Sequence, residues 1–157
     1  MAWDFETDPE YQKKLDWTDE FVREEVEPLD YLFPHQQFVP LDGARRKVVD
    51  PLKDEVRHQG LWATHLGPEL GGQGHGQLDL ALLNEILGRS QWAPIVFGCQ
   101  APDTGNAEII AHYGTDEQKQ RYLRPLLDGE LSSCYSMTEP HAGADPTLFT
   151  KIGRAHV

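Results

Sequence analysis

The stretch from 77 to 90 places the tightest constraint on what this chain can fold into. Leu78, Ala81, Leu82, Leu83, Ile86 and Leu87 cover more than half the circumference of a helix drawn through it. Such a helix is expected to be mostly buried and to need neighbours on several sides.

The rest of the chain offers those neighbours. Thr7 or Asp8 can cap a first helix, with Pro9 at its first position. Tyr11, Leu15, Thr18, Phe21, Val22 and Val26 then follow helical spacing, while Glu20, Glu24 and Glu25 fall toward water. Pro28 is expected to end that run, and residues 29–44, with Pro34 and Pro40, read as a loop. Asp50-Pro51 opens a second helix, with Leu52 and Val56 on one face and Gly60 as its stop. Residues 60–77 form a glycine-rich loop with Gly67, Gly71, Gly72, Gly74 and Gly76, where positive φ is expected.

Beyond residue 90, Pro94 to Cys99 reads as a short apolar turn or helix. Asp103 or Thr104 can cap a helix that runs to Tyr113 and stops at Gly114. Thr115-Asp116-Glu117-Gln118 matches a capping box, in which hydroxyl and amide satisfy orphan backbone donors reciprocally. That helix carries Tyr122, Leu123, Leu126 and Leu127, bends at Pro125 and ends at Asp128-Gly129. The character then changes. Leu131-Ser132-Ser133-Cys134-Tyr135-Ser136-Met137-Thr138 reads as a strand, and Glu139 to Pro146 as a turn-rich loop.

Charge and composition narrow the function. The net charge is −12, from 26 acidic and 14 basic residues, which argues against a nucleic-acid or anionic-membrane binder. No apolar run approaches the length of a membrane span, and the N-terminus lacks a signal peptide's basic start and apolar core. Cys99 and Cys134 cannot make a disulfide framework. The expected setting is cytoplasmic.

The usual ligand motifs are weak. Gly71-Gly72-Gln73-Gly74-His75-Gly76 lacks the Gly-Lys-Ser/Thr ending of a phosphate loop and follows no strand, so a tight inter-helix loop is favoured. His58, His65 and His75 sit mostly in loops without metal-ligand spacing, and no metal site is expected.

One strand without a partner cannot make a stable sheet, so the chain reads as part of something longer. Ile152-Gly153-Arg154-Ala155-His156-Val157 is the in-frame translation of ATC GGA AGA GCA CAC GTC, a string found in a common sequencing-library adapter. The adapter's two preceding bases, AG, fit a lysine codon for Lys151. Residues 151–157 are expected to be a non-native scar.

The segment Tyr135-Ser136-Met137-Thr138-Glu139-Pro140-His141-Ala142-Gly143-Ala144-Asp145 resembles the acyl-CoA dehydrogenase family, which has an aromatic-x-apolar-Thr-Glu-Pro-x-Ala-Gly-Ser-Asp run at the start of its middle β-domain. Pro68-Glu69-Leu70-Gly71-Gly72-Gln73-Gly74, the helix after it with Glu85, and Tyr113-Gly114-Thr115-Asp116-Glu117-Gln118-Lys119 extend the likeness over most of the chain. Ala101-Pro102-Asp103-Thr104-Gly105-Asn106 resembles a subgroup that includes domains fused to kinase-like modules. The resemblance implies a mainly α fold: the family's N-terminal helical domain over 1–129, then the first strand of a truncated β-barrel domain with its flavin-binding turn over 130–150.

It further implies FAD as cofactor, with Tyr135, Ser136, Met137, Thr138, Gly143 and Ala144 as its binding residues. Donors near the flavin's pyrimidine edge stabilise the charge that reduction places there. Ala101, Thr104, Gly105 and Ala144 are the implied contacts of an acyl-CoA substrate. Small residues at Ala142, Gly143 and Ala144 let the backbone approach pyrophosphate and pantetheine.

Two departures stand out. Ala144 replaces the usual Ser, losing a hydroxyl bond to phosphate of about 1.5–3 kcal/mol, so weakened binding is expected. His141 replaces a residue that is often Gly, and the neutral reading is favoured over a cation near phosphate.

The implied chemistry is α,β-desaturation of an acyl thioester: a glutamate takes the α-proton while the β-hydrogen leaves as hydride to flavin N5. That glutamate belongs to the family's C-terminal helical domain, so no catalytic residue is assigned here, Glu139 included, and the fragment is expected to be inactive alone. The implied partners of the full-length parent are an electron-transfer flavoprotein and its own copies, as a homodimer or homotetramer. The alternatives are an acyl-CoA oxidase-like flavoenzyme and a non-catalytic helical interaction module.

Overall fold

The computed structural model describes residues 6–37, 39, 41–70 and 73–150. Gly71 and Gly72 of the glycine-rich loop, and the expected scar at 151–157, lie outside the described residues.

Helix α1 spans Pro9–Phe21. The Asp8 carboxylate accepts the Glu10 and Tyr11 amides, as the capping reading requires. Pro28, however, does not end the helix. A π-turn, Val22–Val26, carries the chain into α2, Glu27–Leu32. A proline in a helix lacks a donor and its ring collides with the carbonyl four residues back. Here the Glu27 amide reaches five residues back, to the Val22 carbonyl, and this wider turn redirects the carbonyls that Pro28 would strike. The same device recurs at Pro125: the π-turn Lys119–Leu123, closed by the Arg124 amide on the Lys119 carbonyl, precedes it.

The predicted loop over 29–44 is thereby shortened from both ends. Leu29 lies in the core. Helix α3 covers Gly43–His58, with Asp42 rather than Asp50 as its cap, so Pro51 is interior to it. The Asp42 carboxylate accepts the Ala44 and Arg45 amides and pairs with the Arg45 guanidinium. Those amide bonds, foremost that of Arg45, hold the Asp42 carboxyl below the usual carboxylate range. Gly60 follows α3 in the left-handed region, at φ 67°, the predicted stop. Gly74 also has positive φ, whereas Gly67 and Gly76 do not.

Helix α4, Gln77–Leu87, packs on α1, and the Tyr11 hydroxyl donates to the Asp79 carbonyl at 2.6 Å. It is less enclosed than predicted. Leu83 and Leu87 are buried, but Leu78 is 72% exposed and Ala81 also faces out. α1 packs on one flank, and Leu82 and Ile86 reach the core half-buried, while the side carrying Leu78 and Ala81 stays open. Helices α5, Ala93–Val96, and α6, Asp103–Tyr113, follow. Trp92, fully buried, closes the main core against Val22, Val49 and Phe97, with an edge-on contact to Phe33. Each fully buried Val or Leu there contributes about 1.5–3 kcal/mol. A smaller cluster joins Leu66, Ala107, Ala111 and Leu123.

The capping box forms as predicted: Thr115 Oγ1 accepts the Gln118 amide and Gln118 Oε1 accepts the Thr115 amide. It starts α7, Asp116–Gln118, and the π-turn then leads into α8, Arg124–Leu127. The strand predicted over 131–138 is not formed. The segment has no regular secondary structure and no ladder partner among the described residues, and a lone strand has nothing to bond to. A single bridge, Glu139 with Ala142, closes the following turn. The chain is a mainly helical domain.

Candidate functional site

A cleft of roughly 320 Å³ opens where α3, the link into α6, the end of α8 and the extended segment converge. Trp62 forms its floor. The indole N–H donates to the Leu127 carbonyl, and the Arg57 guanidinium lies 4.0 Å over the ring while donating to the Asp128 carbonyl at 2.8 Å. Two glycines of positive φ make room for the indole. A Cβ on Gly98 would come within 2.6 Å of the ring, and one on Gly129 within 3.0 Å. Lys53 also lines this space, and burial holds its pKa below the ordinary lysine value, partly offset by Asp50.

The implied substrate residues are brought only partly together. Ala101 lines the cleft beside Gln100, Pro102 and Asp103. Thr104 and Gly105 lie further along, in the first turn of α6, and are not part of the lining. Ala144 is exposed and is not in the lining either. Asp103 does not cap α6 as predicted; Pro102 holds that position, with no side-chain bond to the helix. The Asp103 carboxylate accepts the Ser133 amide and hydroxyl instead.

The implied flavin residues lie on one exposed ribbon. Tyr135 and Met137 are 56% and 58% exposed, and Ser136 and Thr138 also face out. The amides of 134–138 make no hydrogen bond among the described residues. A run of unpaired, exposed donors is what a flat ring edged with acceptor atoms needs, so these residues fit such a group. Gly143 has neither positive φ nor a crowding neighbour: its missing Cβ would sit 3.9 Å from Thr138 Cγ2. Nothing among the described residues demands glycine there, and the exposed backbone is open to approach. Ala142 differs, being buried in the bridge with Glu139.

Glu139 is committed to the loop. Its nearly buried carboxylate accepts the Thr150 amide at 3.1 Å and the Thr150 hydroxyl at 3.0 Å, and it faces His141 Nε2 at 3.2 Å. His141 is thus turned toward Glu139. Sequence reasoning missed Trp62 and Lys53 as parts of the cleft, and Arg57 as the cation over Trp62. Only tertiary packing brings them to residues 127–133, and no local pattern announces it. Among the described residues, no group of three His, Cys, Asp or Glu side chains gathers as a cation site, and no helix is long and apolar enough to cross a membrane.

The sequence model of the family described as "Acyl-CoA dehydrogenase, N-terminal domain" matches residues 8–130. The chain belongs to the acyl-CoA dehydrogenase family. Acyl-CoA dehydrogenase family member 10 of Mus musculus is 36% identical over 141 residues, covering 87% of this chain and 13% of that protein. Acyl-CoA dehydrogenase family member 11 of Homo sapiens is 48% identical over 101 residues, covering 64% of this chain and again 13% of the relative. A solved structure from Mycobacterium abscessus, described as an acyl-CoA dehydrogenase, superposes with a TM-score of 0.75 at 35% identity. It covers 91% of this chain and 38% of its own. The chain thus spans a small part of its curated relatives' length. The helical bundle described above is the N-terminal domain of the acyl-CoA dehydrogenase fold, and the 134–138 ribbon lies just past the family-model match.

Proposed function

We propose that this chain is the N-terminal part of an FAD-dependent enzyme that desaturates acyl-CoA thioesters between the α and β carbons. The observation that carries the reading is the family match over 8–130, followed at once by a ribbon of unpaired amides beside the cleft. Residues 1–129 form the helical domain in this proposal, and 130–150 begin the middle domain.

FAD, when bound, supplies the two-electron acceptor for the β-hydrogen. The amides of Ser136, Met137 and Thr138 donate toward it, Tyr135 and Met137 pack against it, and Gly143 and Ala144 leave room for its phosphates and the thioester's pantetheine arm. Ala101 lines the cleft that would admit the acyl group, and Thr104 and Gly105, beyond that lining, are proposed as contacts on the family resemblance alone. These residues bind and orient; none of them is assigned as the base. Glu139 is held by Thr150 and His141 and is not the base either. With no base assigned and no hydroxyl at Ala144 to meet a phosphate, the chain alone is proposed to bind FAD weakly and not to turn over. Electron-transfer flavoprotein and further copies of the full-length parent are the proposed protein partners.

The test is a titration of FAD into the isotope-labelled chain, followed by NMR, with an acyl-CoA bleaching assay alongside. Shifts centred on 135–138 and Gly143 without turnover are expected. No shift in that ribbon would sink the flavin assignment, and stoichiometric flavin retention with bleaching would sink the claim of inactivity.

A further inference from the structure

Ser133 is the point at which the extended ribbon is tied to the helical domain. Its amide donates to Asp103 Oδ1 at 2.7 Å and its hydroxyl donates to the same oxygen at 2.6 Å. The hydroxyl oxygen in turn accepts the Asn106 Nδ2–H at 2.8 Å. Asp103 Oδ2 accepts Gln100 Nε2 at 3.2 Å, which fixes the carboxylate's rotation. Every partner therefore restrains the next, and the two shortest bonds are charge-assisted, roughly twice as strong as neutral ones.

The placement of Asp103 is unusual for its position. An aspartate at the start of a helix ordinarily serves the first-turn amides. In α6 the first amides go to backbone carbonyls instead, Thr104 to Gln100 and Asn106 to Pro102. That leaves the Asp103 carboxylate for a residue 30 positions away. Ser133 and Tyr135 both face α6. The Tyr135 hydroxyl lies so close to Gly105 that a methyl group there would overlap it. Asp103, Gly105 and Asn106 of one helical turn thus receive Ser133 and Tyr135 of the ribbon.

We propose that Asp103 is the positioning residue that seats the 133–138 ribbon on the first turn of α6. It holds the unpaired amides of 134–138 at a fixed offset from the cleft wall at Ala101. Its meaning for catalysis rests on the flavin reading above; the seating itself does not. Asp103 touches neither acyl group nor ring in this proposal, and acts through Ser133.

The experiment is backbone amide exchange and a Tyr135–Gly105 nuclear Overhauser contact, read on the labelled 157-residue chain. In Asp103→Ala the Ser133 amide exchanges at least tenfold faster and the contact disappears, while exchange in α3 and α4 stays as in the parent. In Ser133→Ala the amide at 133 still reaches Asp103, so the contact persists. Asp103→Asn keeps an acceptor but loses the charge, giving several-fold faster exchange with the contact retained. Unchanged exchange at Ser133 and a surviving contact in Asp103→Ala overturn the proposal. Should that variant fail to fold, unchanged Ser133 exchange in Asp103→Asn overturns it equally. Titrating FAD into the parent and Asp103→Asn chains separates the two claims. Absence of ribbon shifts in the parent defeats the flavin reading alone. A weaker FAD response in Asp103→Asn at an unchanged melting temperature supports positioning over bulk stability.

Discussion

Trp62 donates its indole N–H to the carbonyl of Leu127, 65 residues further along the chain. This bond joins the loop after α3 to the end of α8, and the Arg57 guanidinium lies over the same ring. The floor of the cleft and the take-off point of the ribbon are therefore one packed unit.

Trp62→Phe keeps most of the ring but removes the donor. The Leu127 carbonyl then loses its partner in a half-buried setting, at a cost of about 1–3 kcal/mol. Urea melts of parent and variant measure it. A midpoint that does not move would show that water replaces the indole freely.

Leu29→Ala tests the helix that continues past Pro28. Leu29 is 1% exposed, so its truncation leaves a core cavity costing about 2–5 kcal/mol. Had residues after Pro28 formed a loose loop, the cost would fall within a few tenths of a kcal/mol. Thermal unfolding followed by circular dichroism distinguishes the two.

His65 makes stability depend on pH. Both ring nitrogens are buried, with no partner among the described residues. Burial pushes its pKa below the ordinary 6.5, with Glu108 acting the other way. The folded state thus binds a proton less readily than the unfolded chain, and unfolding takes one up below pH 6.5. The contribution is intact above that pH and is lost as pH falls toward the folded value. Denaturant melts from pH 7.5 to 5.5 should lose stability in the parent and less in His65→Leu. Equal slopes would remove His65 from the account. Asp42 and Asp145, whose carboxyls are held low by hydrogen bonds to Arg45 and Thr147, act only in the more acidic carboxylate range.

The two thiols should separate in a labelling experiment. Burial pushes the Cys99 thiol up to about 12, while Cys134 is exposed on the ribbon. A disulfide reagent at neutral pH is expected to modify one thiol promptly and the second only on unfolding. Peptide mapping should place the prompt label on Cys134; a prompt label on Cys99 would show that the α5–α6 link opens readily.

Features that need only near neighbours are legible in the residues alone. The Asp8 and Thr115 caps, the Gly60 stop and the apolar stripe of α1 each depend on residues within one or two turns, so their spacing carries them. The family likeness was legible too, because ordered motifs persist along the chain. Packing between distant segments settles the others. Whether Pro28 and Pro125 stop or merely perturb a helix depended on π-turns, which form because Val22, Val26, Leu29 and Leu123 gain more from staying in apolar contact than an ended helix would allow. Whether α4 is enclosed depended on neighbours that its own periodicity cannot supply. Asp103 had two partners in prospect, its own helix or Ser133. Local spacing favoured the helix, and folding chose the serine because a carboxylate brought into a half-buried groove is held best by donors on both sides.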